Sequence, residues 1–364
     1  MHILILSWRD IGNPNSGGAE RATYELAVCW AKKGHKVRWL SSAFVGAKRS
    51  EVVEQIAITR YGRWWNIHLI APFYYFFALR NWAHVVIDQV HFFPFFSIFY
   101  AGRKTVLFAC EVATPLFPYV IPRLFVPLAR RIEQFYFRLY QSVPTLAISE
   151  STKQDLMRVG FHQHTITVLP LGVSPSLNNR RFTKEQQQTI LYVGRLNRQK
   201  GADVALDVIQ LVHKKLPQCQ LWFIGTGSDT YQRKLEARVK RYDLKNITFF
   251  GYVSEEEKFK LMAKAHVLIV PSIHEGWGLV VSEAATVGTP AVVYNVSGLR
   301  DVVKQERTGL ITQTNPESMA DAVISLLKDV KRLKSYSQQA IKSSRQFSWD
   351  KTAEKALSIL KQSV

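Results

Sequence analysis

Cysteine is scarce in this sequence, and its placement argues against two kinds of site. The chain of 364 residues has three cysteines, Cys29, Cys110 and Cys219, which lie far apart and form no CxxC pair. This pattern excludes a disulfide framework and a cysteine-based zinc site, and it favours a reduced, cytoplasmic protein. The sequence also contains no DxD motif and no cluster of histidine and cysteine, so we expect no bound metal.

Long apolar segments are missing as well. A membrane-spanning helix needs about 20 apolar residues, whereas the nearest candidate, residues 64–79, is interrupted by His68 and Pro72. The N-terminal residues "MHILILSW" include no basic region and are typical of a first β-strand rather than of a signal peptide.

Acidic residues are few compared with basic ones. There are 28 Asp and Glu against 48 Lys and Arg, which gives a net charge of +20. Such a surface favours anionic partners, among them nucleic acids, acidic lipids and phosphorylated small molecules. The basic residues are spread over both halves without a basic tail, so we expect no nucleic-acid partner.

Short apolar runs alternate with helical stretches along the whole chain. Such alternation, with nearly continuous apolar strands, predicts an α/β protein with doubly wound parallel sheets. Twelve runs bounded by turn residues are predicted strands: 2–8, 36–42, 84–90, 104–110, 145–149, 165–170, 189–196, 220–227, 246–253, 266–272, 290–296 and 309–314.

A polar, charged stretch divides these strands into two groups and predicts two Rossmann-like domains. We place the first domain at 1–177, the linker at 178–188 and the second domain at 189–345. Residues 346–364 predict a final amphipathic helix.

One loop at a strand end places two acids around glycines, within "HEGWGLVVSEAATVGTP" at 274–290. Glu275 lies in the loop and Glu283 in the early turns of a predicted helix, so both carboxylates border one helix N-terminus. Gly276 and Gly278 free backbone amides for an anion. Carboxylates accept hydrogen bonds from hydroxyls and amides bind phosphate, which suits a sugar nucleotide. The alternative is a helix with one capping acid and one surface acid.

A second basic loop follows the predicted strand at 189–196. It places Arg195, Arg198 and Lys200 at the carboxyl end of the strand, where ligands bind in open α/β sheets. Arginine gives forked contacts to phosphate oxygens and lysine adds a point charge, which predicts phosphate binding. The alternative is a solvated basic loop.

Two other glycine loops also follow predicted strands. Residues 13–21 contain Gly17 and Gly18 ahead of a helix, which suits a phosphate but is also a common turn into a helix. Residues 223–229, with Gly225, either accommodate a nucleotide or only turn the chain.

Together these segments resemble the retaining GT-B glycosyltransferases, and more specifically the family-four group that uses nucleotide-sugar donors. The similar segments are "PSIHEGWGLVVSEAATVGTPAVV", with seven residues between Glu275 and Glu283, "YVGRLNRQKG" upstream and "GGAER" near the start. The resemblance runs from the first strand to "FSWDKTAEKAL" near the C-terminus. It implies two domains that face a cleft, an acceptor that meets the N-terminal domain, and a last helix that returns to that domain.

The resemblance also implies roles for individual residues. Glu275 would bind hydroxyls of the donor sugar, Glu283 would bind the ribose, and Arg195 and Lys200 would neutralise the diphosphate leaving group. The other implied donor-binding positions are Gly17, Gly18, Gly225, Tyr252, Gly276, Trp277, Gly278 and Leu279. The implied donor is a UDP- or GDP-sugar, with no bound cofactor or metal. Retention by front-face attack, in which the leaving phosphate takes the acceptor proton, requires no protein nucleophile.

One departure from the family pattern affects the acceptor side. Members commonly have His followed by Glu after the fourth N-terminal strand, but this sequence has Cys110 followed by Glu111. A thiol does not replace imidazole in hydrogen bonding or proton transfer. Asp88 and His91 are nearby candidates at a strand end, although a histidine beside aromatic residues more often packs than reacts.

The N-terminal half has two aromatic segments with arginines, at 61–84 and 115–141. They fit an anionic membrane surface or, equally, two core-facing helices with snorkelling arginines. We therefore expect a glycan or lipid-linked acceptor destined for the cell envelope, and a cytoplasmic protein that can lie at the inner face of the membrane. Two alternative functions remain: a GT-B sugar-nucleotide epimerase, and a basic nucleotide- or membrane-binding protein without catalysis.

Overall fold

The computed structural model describes residues 1–174 and 183–363. The chain forms two compact units: Met1–Gly172 with Ser348–Val364, and Val173–Phe347. Each unit has its own sheet and its own buried core, as the two-domain prediction requires.

The first unit contains an eight-stranded sheet. Its strands are β1 His2–Leu6, β2 Lys36–Ser42, β3 Ser50–Val53, β4 Ile56–Tyr61, β5 Val85–Val90, β6 Thr105–Ala109, β7 Thr145–Ala147 and β8 Ile166–Val168. Their order is β3-β4-β2-β1-β5-β6-β7-β8, and all neighbours pair in parallel except β3, which is antiparallel to β4 at the edge. The order reverses between β1 and β5, which makes their carboxyl ends the topological switch point.

Helices cover this sheet because its central strands are apolar on both faces and must be shielded from water. The helices are α1 Gly18–Lys32, α2 Ile67–Tyr74, which continues into a π-helical turn at Tyr75–Leu79, α3 Phe117–Val120, α4 Val126–Leu139 and α5 Glu150–Arg158. Short 3₁₀ turns lie at Ser97–Phe99, Gly102–Lys104, Arg123–Phe125 and Gln163–Thr165.

The second unit contains a six-stranded sheet. Its strands are β9 Thr189–Val193, β10 Gln220–Ile224, β11 Ile247–Gly251, β12 Val267–Val270, β13 Ala291–Tyr294 and β14 Gly309–Thr312. They are all parallel, in the order β11-β10-β9-β12-β13-β14, so the switch point lies between β9 and β12. The helices are α6 Ala202–His213, α7 Asp229–Arg241, α8 Glu255–Lys264, α9 Leu279–Thr286, α10 Leu299–Val302, α11 Pro316–Lys328 and α12 Val330–Ser344.

The last helix, α13 at Trp349–Gln362, packs against α1 in the first unit. The indole nitrogen of Trp30 donates a buried hydrogen bond to the carbonyl of Ala353 over 3.1 Å, and Lys33 forms an ion pair with Glu354. This contact joins the two ends of the chain within one core.

All twelve predicted strands are present, and the doubly wound parallel class is confirmed. The prediction missed the hairpin formed by β3 and β4. The turn of this hairpin is made by Glu54 and Gln55, which adopt positive φ values of 46° and 67° without a glycine. Since glycine is the usual sign of such a turn, the sequence does not reveal it.

The predicted linker, 178–188, lies partly outside the described residues. Within its described part, the ammonium group of Lys184 donates to the carbonyl of Ala265 over 2.6 Å and to the hydroxyl of Thr289 over 2.8 Å. Residue 184 is therefore attached to the second unit.

Across the residues that the structure describes, no helix has the length and apolarity that crossing a bilayer requires.

Candidate functional site

The switch point of the second unit brings together two of the loops singled out from the sequence. Lys200 lies in the loop after β9, and Glu275 lies in the loop after β12. Their side chains form an ion pair with 2.7 Å between Nζ and Oε1, and they are 27% and 13% exposed. The sequence predicted both residues as site residues, and the adjacency of β9 and β12 explains why they meet.

Two further side chains, neither of them predicted from the sequence, hold this pair in place. The hydroxyl of Ser272 donates to the same Glu275 oxygen over 2.8 Å. The side-chain oxygen of Asn197 accepts a hydrogen bond from the Lys200 backbone amide over 2.9 Å. Both residues lie within a few positions of a strand end, and that position could have marked them in the sequence as candidate site residues.

Close backbone packing fixes the geometry of both loops. Gly201 has a φ of 70°, and a β-carbon there would lie 2.2 Å from the carbonyl oxygen of Pro271. Gly298 packs similarly against the backbone of Glu275 and Gly276. A side chain at either glycine would push the loops apart, so the lysine–glutamate contact depends on these positions.

The "HEGWG" loop ends at Gly278, which has a φ of 93° and immediately precedes α9. Leu279 is the first residue of this helix, so the amides of Gly276–Leu279, which are predicted to bind sugar and phosphate, lie at or just before a helix N-terminus. The indole of Trp277, in contrast, is buried. It is 5% exposed, donates to the Ser282 hydroxyl over 3.1 Å and packs edge-on against another aromatic ring. Its side chain belongs to the core, which leaves only the amide of this residue for a ligand.

Glu283 lies in the second turn of α9 and is paired with a lysine that the sequence analysis did not select. Lys258 on α8 places Nζ 2.9 Å from Glu283 Oε2 and also contacts Glu255. The Lys258 and Glu283 side chains are 13% and 19% exposed. Nothing in the spacing of α8 marks Lys258, because its partner lies 25 residues later in the chain.

The loops after β9 and β10 touch through glycines. Gly225 has a φ of 127°, and a β-carbon there would lie 2.1 Å from the carbonyl oxygen of Gly194. Arg195 follows in the same loop, exposed to solvent, and its carbonyl accepts a hydrogen bond from the Tyr192 hydroxyl. Tyr252, after β11, is 86% exposed. Both predicted contact side chains, Arg195 and Tyr252, are therefore accessible to a ligand.

In the first unit, the glycine loop precedes α1 as predicted, with Gly17 just before the helix and Gly18 as its first residue. The Gly17 amide donates to the buried carboxylate of Glu20 over 2.7 Å. Glu20 thus caps the helix from within, which leaves fewer free amides for a ligand than the sequence suggested.

A buried ion pair that was not predicted from the sequence fixes the start of this glycine loop. Asp10 accepts two hydrogen bonds from the guanidinium of Arg60, at 2.6 and 2.7 Å, and one from Ser41 at 2.6 Å. The pairing with Asp10 raises the pKa of Arg60. The amide of Gly12 also donates to Asp10, so this carboxylate fixes the start of the loop.

The structure separates the acceptor-side candidates into two groups. Cys110 and Asp88 are turned into the protein. The Cys110 thiol is buried 3.6 Å from the Gln89 side-chain nitrogen, and burial raises its pKa far above the usual range. Asp88 is buried and accepts hydrogen bonds from Tyr140, from the amide of Phe95 and from the amide and hydroxyl of Ser97. These contacts support structural roles for both residues.

His91 and Glu111 form the second group. Nδ1 of His91 lies 3.0 Å from Oε1 of Glu111, and the side chains are 20% and 11% exposed. The two residues follow the adjacent strands β5 and β6. The Trp8 ring, after β1, lies 5.6 Å from the imidazole, measured between ring centroids. The strands of the switch point therefore place an imidazole, a carboxylate and an indole together.

No group of three or more histidine, cysteine, aspartate or glutamate side chains is arranged to hold a metal ion within residues 1–174 and 183–363.

Two family models match consecutive parts of the chain. Residues 16–177 match glycosyltransferase family 4, and residues 175–343 match glycosyl transferases group 1. An uncharacterized glycosyltransferase of Methanocaldococcus jannaschii is 28% identical over 243 residues, which cover 62% of this chain and 62% of that protein. D-inositol 3-phosphate glycosyltransferase of Paenarthrobacter aurescens is 27% identical, covering 65% and 62%. The matched part thus spans less than two thirds of these relatives.

Solved structures of low sequence identity share the fold over the whole chain. Sucrose-phosphate synthase of Thermosynechococcus elongatus superposes with a TM-score of 0.80 at 19% identity and covers 99% of this chain and 98% of that one. Anabaena HepE, solved in complex with UDP and glucose, gives a TM-score of 0.77 at 15% identity with full coverage of both chains. The expected GT-B fold is confirmed.

Proposed function

Because the chain belongs to the family-4-like glycosyltransferases of the GT-B fold, we propose that it moves a sugar from a nucleotide diphosphate to an acceptor with retention. The sugar is of the hexose type, and the acceptor is a glycan or a lipid-linked molecule of the cell envelope. One observation carries the proposal: the Lys200–Glu275 pair at the switch point of the second unit.

The positive lysine of this pair suits the diphosphate of a nucleotide sugar, and the negative glutamate suits the sugar hydroxyls. Glycosyl transfer passes through an oxocarbenium-like state while the diphosphate departs with negative charge. Lys200 and Arg195 stabilise that charge, together with the amides at the start of α9. Glu275 keeps Lys200 oriented before the donor binds and accepts hydrogen bonds from sugar hydroxyls afterwards.

Glu283 is proposed to bind the ribose of the donor. Its carboxylate is partly exposed and is held by Lys258 at 2.9 Å. A ribose with two free hydroxyls can donate to this carboxylate while the lysine stays on the other oxygen. A carboxylate is a stronger hydrogen-bond acceptor than a neutral group, which suits the ribose hydroxyls. UDP is the nucleotide bound by Anabaena HepE, which favours a uridine donor here.

The acceptor side is proposed to meet an anionic membrane through a surface that we call the aromatic–basic surface. It comprises the exposed side chains of segments 63–80 and 123–138. Its apolar members recur every three or four residues within each segment, and they include Leu69, Phe73, Phe77, Leu128, Ile132 and Phe135. Basic members, all exposed, are Arg63, Arg80, Arg123, Arg130, Arg131 and Arg138.

Packing and charge both support this surface. The Phe93 ring contacts His68 on α2 and Tyr136 on α4, each at 5.6 Å, so the two segments adjoin. Phe77 is 81% exposed, which argues against the alternative of core-facing helices. Segments 63–80 and 123–138 contain one acidic residue, Glu133, and its side chain is buried. An amphipathic face with aromatic and basic side chains binds the interface of anionic bilayers.

Nucleotide release tests the transferase proposal. The protein is incubated with UDP- and GDP-sugars, with and without lipid-linked acceptors, and the products are resolved chromatographically. Acceptor-dependent release with α-linked product from an α-linked donor is expected. Isomerised sugar nucleotide without acceptor would identify an epimerase. Absence of turnover with every donor, together with nucleotide-independent melting, would identify a non-catalytic binding protein.

Liposome sedimentation tests the membrane contact. Vesicles of mixed anionic and neutral lipid should sediment the protein at low salt, and purely neutral vesicles should not. Replacing Phe73 and Phe77 by serine should weaken sedimentation, whereas replacing Tyr252, an equally exposed aromatic of the second unit, should not. Equal sedimentation of both variants would refute the assignment.

A further inference from the structure

The switch point of the first unit holds a histidine whose position the fold enforces. His91 follows β5 directly, beside Trp8 from the end of β1 and Glu111 from the end of β6. In open α/β sheets this place binds ligands. The imidazole is partly exposed, so a ligand can reach it.

Backbone strain next to His91 supports a functional role. Phe92 and Phe96 have φ values of 75° and 53°, in the left-handed region that bulky residues avoid. Strain of this kind persists only where neighbouring contacts impose it. Such residues concentrate at functional sites.

Buried polar groups impose this conformation. The carboxylate of Asp88 accepts hydrogen bonds from two amides in the 95–97 segment, at 2.9 and 3.1 Å. The Tyr136 hydroxyl donates to the Phe92 carbonyl over 2.7 Å. These contacts hold the loop that begins at His91, so the position of the imidazole is determined by the core rather than by the surface.

Glu111 favours one tautomer of His91 through its charge. Oε1 of Glu111 lies 3.0 Å from Nδ1 of His91 without hydrogen-bond geometry between the two atoms, and a negative oxygen at this distance favours a proton on Nδ1 over a lone pair there. Nε2 then carries a lone pair and accepts a hydrogen bond from a hydroxyl. The thiol of Cys110, one residue before Glu111, is buried and contacts the side chain of Gln89.

We propose that His91, oriented by Glu111, binds a sugar hydroxyl through Nε2 and supplies the imidazole that is absent at Cys110. This inference rests on the proposed glycosyl transfer. In that reaction the acceptor oxygen bonds to the anomeric carbon, and the bond from that carbon to the diphosphate breaks with its electron pair on the diphosphate. The acceptor proton leaves with the diphosphate, so His91 holds the hydroxyl and Glu111 is a positioning residue.

Substitutions at His91 separate hydrogen bonding from packing. His91→Phe keeps an aromatic ring beside Trp8 but removes the acceptor, whereas His91→Gln keeps a polar group. We expect His91→Phe to lower kcat/KM for transfer by about 10- to 100-fold, and His91→Gln to retain more activity. His162→Phe, which changes an exposed histidine elsewhere in the same unit, should match the unchanged protein.

Kinetics then distinguish the source of the hydroxyl. If it belongs to the donor sugar, His91→Phe slows nucleotide release by hydrolysis without acceptor as strongly as it slows transfer. If it belongs to the acceptor, hydrolysis is unchanged and KM for the acceptor rises. Glu111→Gln should impair transfer less than His91→Phe, since it removes the negative charge beside Nδ1 but keeps the imidazole.

Imidazole NMR keeps this inference separate from the proposed transfer. In ¹⁵N-histidine-labelled protein, the signal missing from His91→Gln identifies His91, and its Nε2 resonance should shift with a sugar nucleotide or an acceptor glycan. That shift is expected even if no donor is turned over. Transfer at an unchanged kcat/KM in folded His91→Phe would overturn the inference. So would an Nε2 resonance that no sugar ligand shifts.

Discussion

Replacing Lys200 by methionine separates the proposed chemistry from the stability of the fold. Methionine keeps an unbranched apolar stem of similar length but removes the ammonium group. Glu275 then loses its partner at 2.7 Å and keeps the hydroxyl of Ser272 at 2.8 Å. The glycine contacts that fix the two loops are unchanged, so the loops should keep their positions.

The effects on stability and on catalysis should differ strongly in size. The two side chains are 27% and 13% exposed, which places the pair between surface pairs and fully buried ones. Its loss should cost about 1–2 kcal/mol, a minor part of a stability of about 5–15 kcal/mol. Removing one prearranged positive group at a developing anion costs about 10²–10³ in kcat. Transfer should therefore fall sharply while the protein stays folded.

The assay compares Lys200→Met with Lys264→Met in the same unit. Lys264 also forms an ion pair, with Glu185 at 3.2 Å, but Glu185 precedes β9 and so lies at the amino ends of the strands, opposite to Lys200. Nucleotide release is measured at saturating donor, and unfolding is followed in urea. We expect loss of turnover in Lys200→Met alone. Full kcat in that variant, or an equal loss in both, would refute the role assigned to the lysine.

Four further predictions follow from the second unit. Glu283→Gln should weaken binding of a nucleoside diphosphate by about tenfold in titration calorimetry, since a charged acceptor of ribose hydroxyls is lost; unchanged affinity would contradict this role. Trp277→Phe should lower the free energy of unfolding by about 1–3 kcal/mol, because the buried Ser282 hydroxyl loses its donor, yet KM of the folded enzyme should not change. Burial lowers the pKa of Lys184 to about 8, so between pH 8 and about 10.4 this lysine binds more protons in the unfolded chain, and its own contribution to stability rises with pH by up to about 1.4 kcal/mol per unit. Urea unfolding should show this contribution as the difference in slope between the unchanged protein and Lys184→Met, because the other titrating groups are common to both. Dialysis against EDTA should leave the transfer rate unchanged, and a loss that Mg²⁺ restores would contradict the assignment of leaving-group charge to lysine and arginine.

Much of the fold was predictable because it follows from local patterns. Continuous apolar runs identify strands that are buried on both faces, and their alternation with helices predicts the parallel sheets. Loops that follow such strands lie together at the carboxyl ends of the strands. Lys200 and Glu275 could therefore be assigned to one site before any contact was known. The β3–β4 hairpin was not predicted because its turn at Glu54 and Gln55 contains no glycine.

Side-chain direction was the part that the sequence did not reveal. The residues of a glycine loop look equally suited to a ligand, yet the indole of Trp277 is buried on Ser282 while its amide lies in the loop. Pairs that join distant segments were also hidden. Lys258 meets Glu283, and Arg60 meets Asp10, across 25 and 50 residues. No spacing rule connects such positions, because tertiary packing alone brings them together.

The positions of Cys110 and His91 illustrate why a family motif can locate a site without assigning its side chains. A motif aligns residues along one strand, whereas the side chains at a switch point come from neighbouring strands, here β1, β5 and β6. An imidazole lost from the end of β6 can therefore be replaced from the end of β5, provided that the same glutamate orients it. Glu111 is 3.0 Å from His91, so under this proposal the carboxylate of the motif would be kept while the imidazole would come from the adjacent strand. If His91 acts in this way, restoring histidine by Cys110→His should not rescue His91→Phe, because the thiol position is buried beside Gln89 and cannot present an imidazole to a ligand without displacing that core contact. Rescue of transfer in the double variant would show instead that position 110 opens to the crevice.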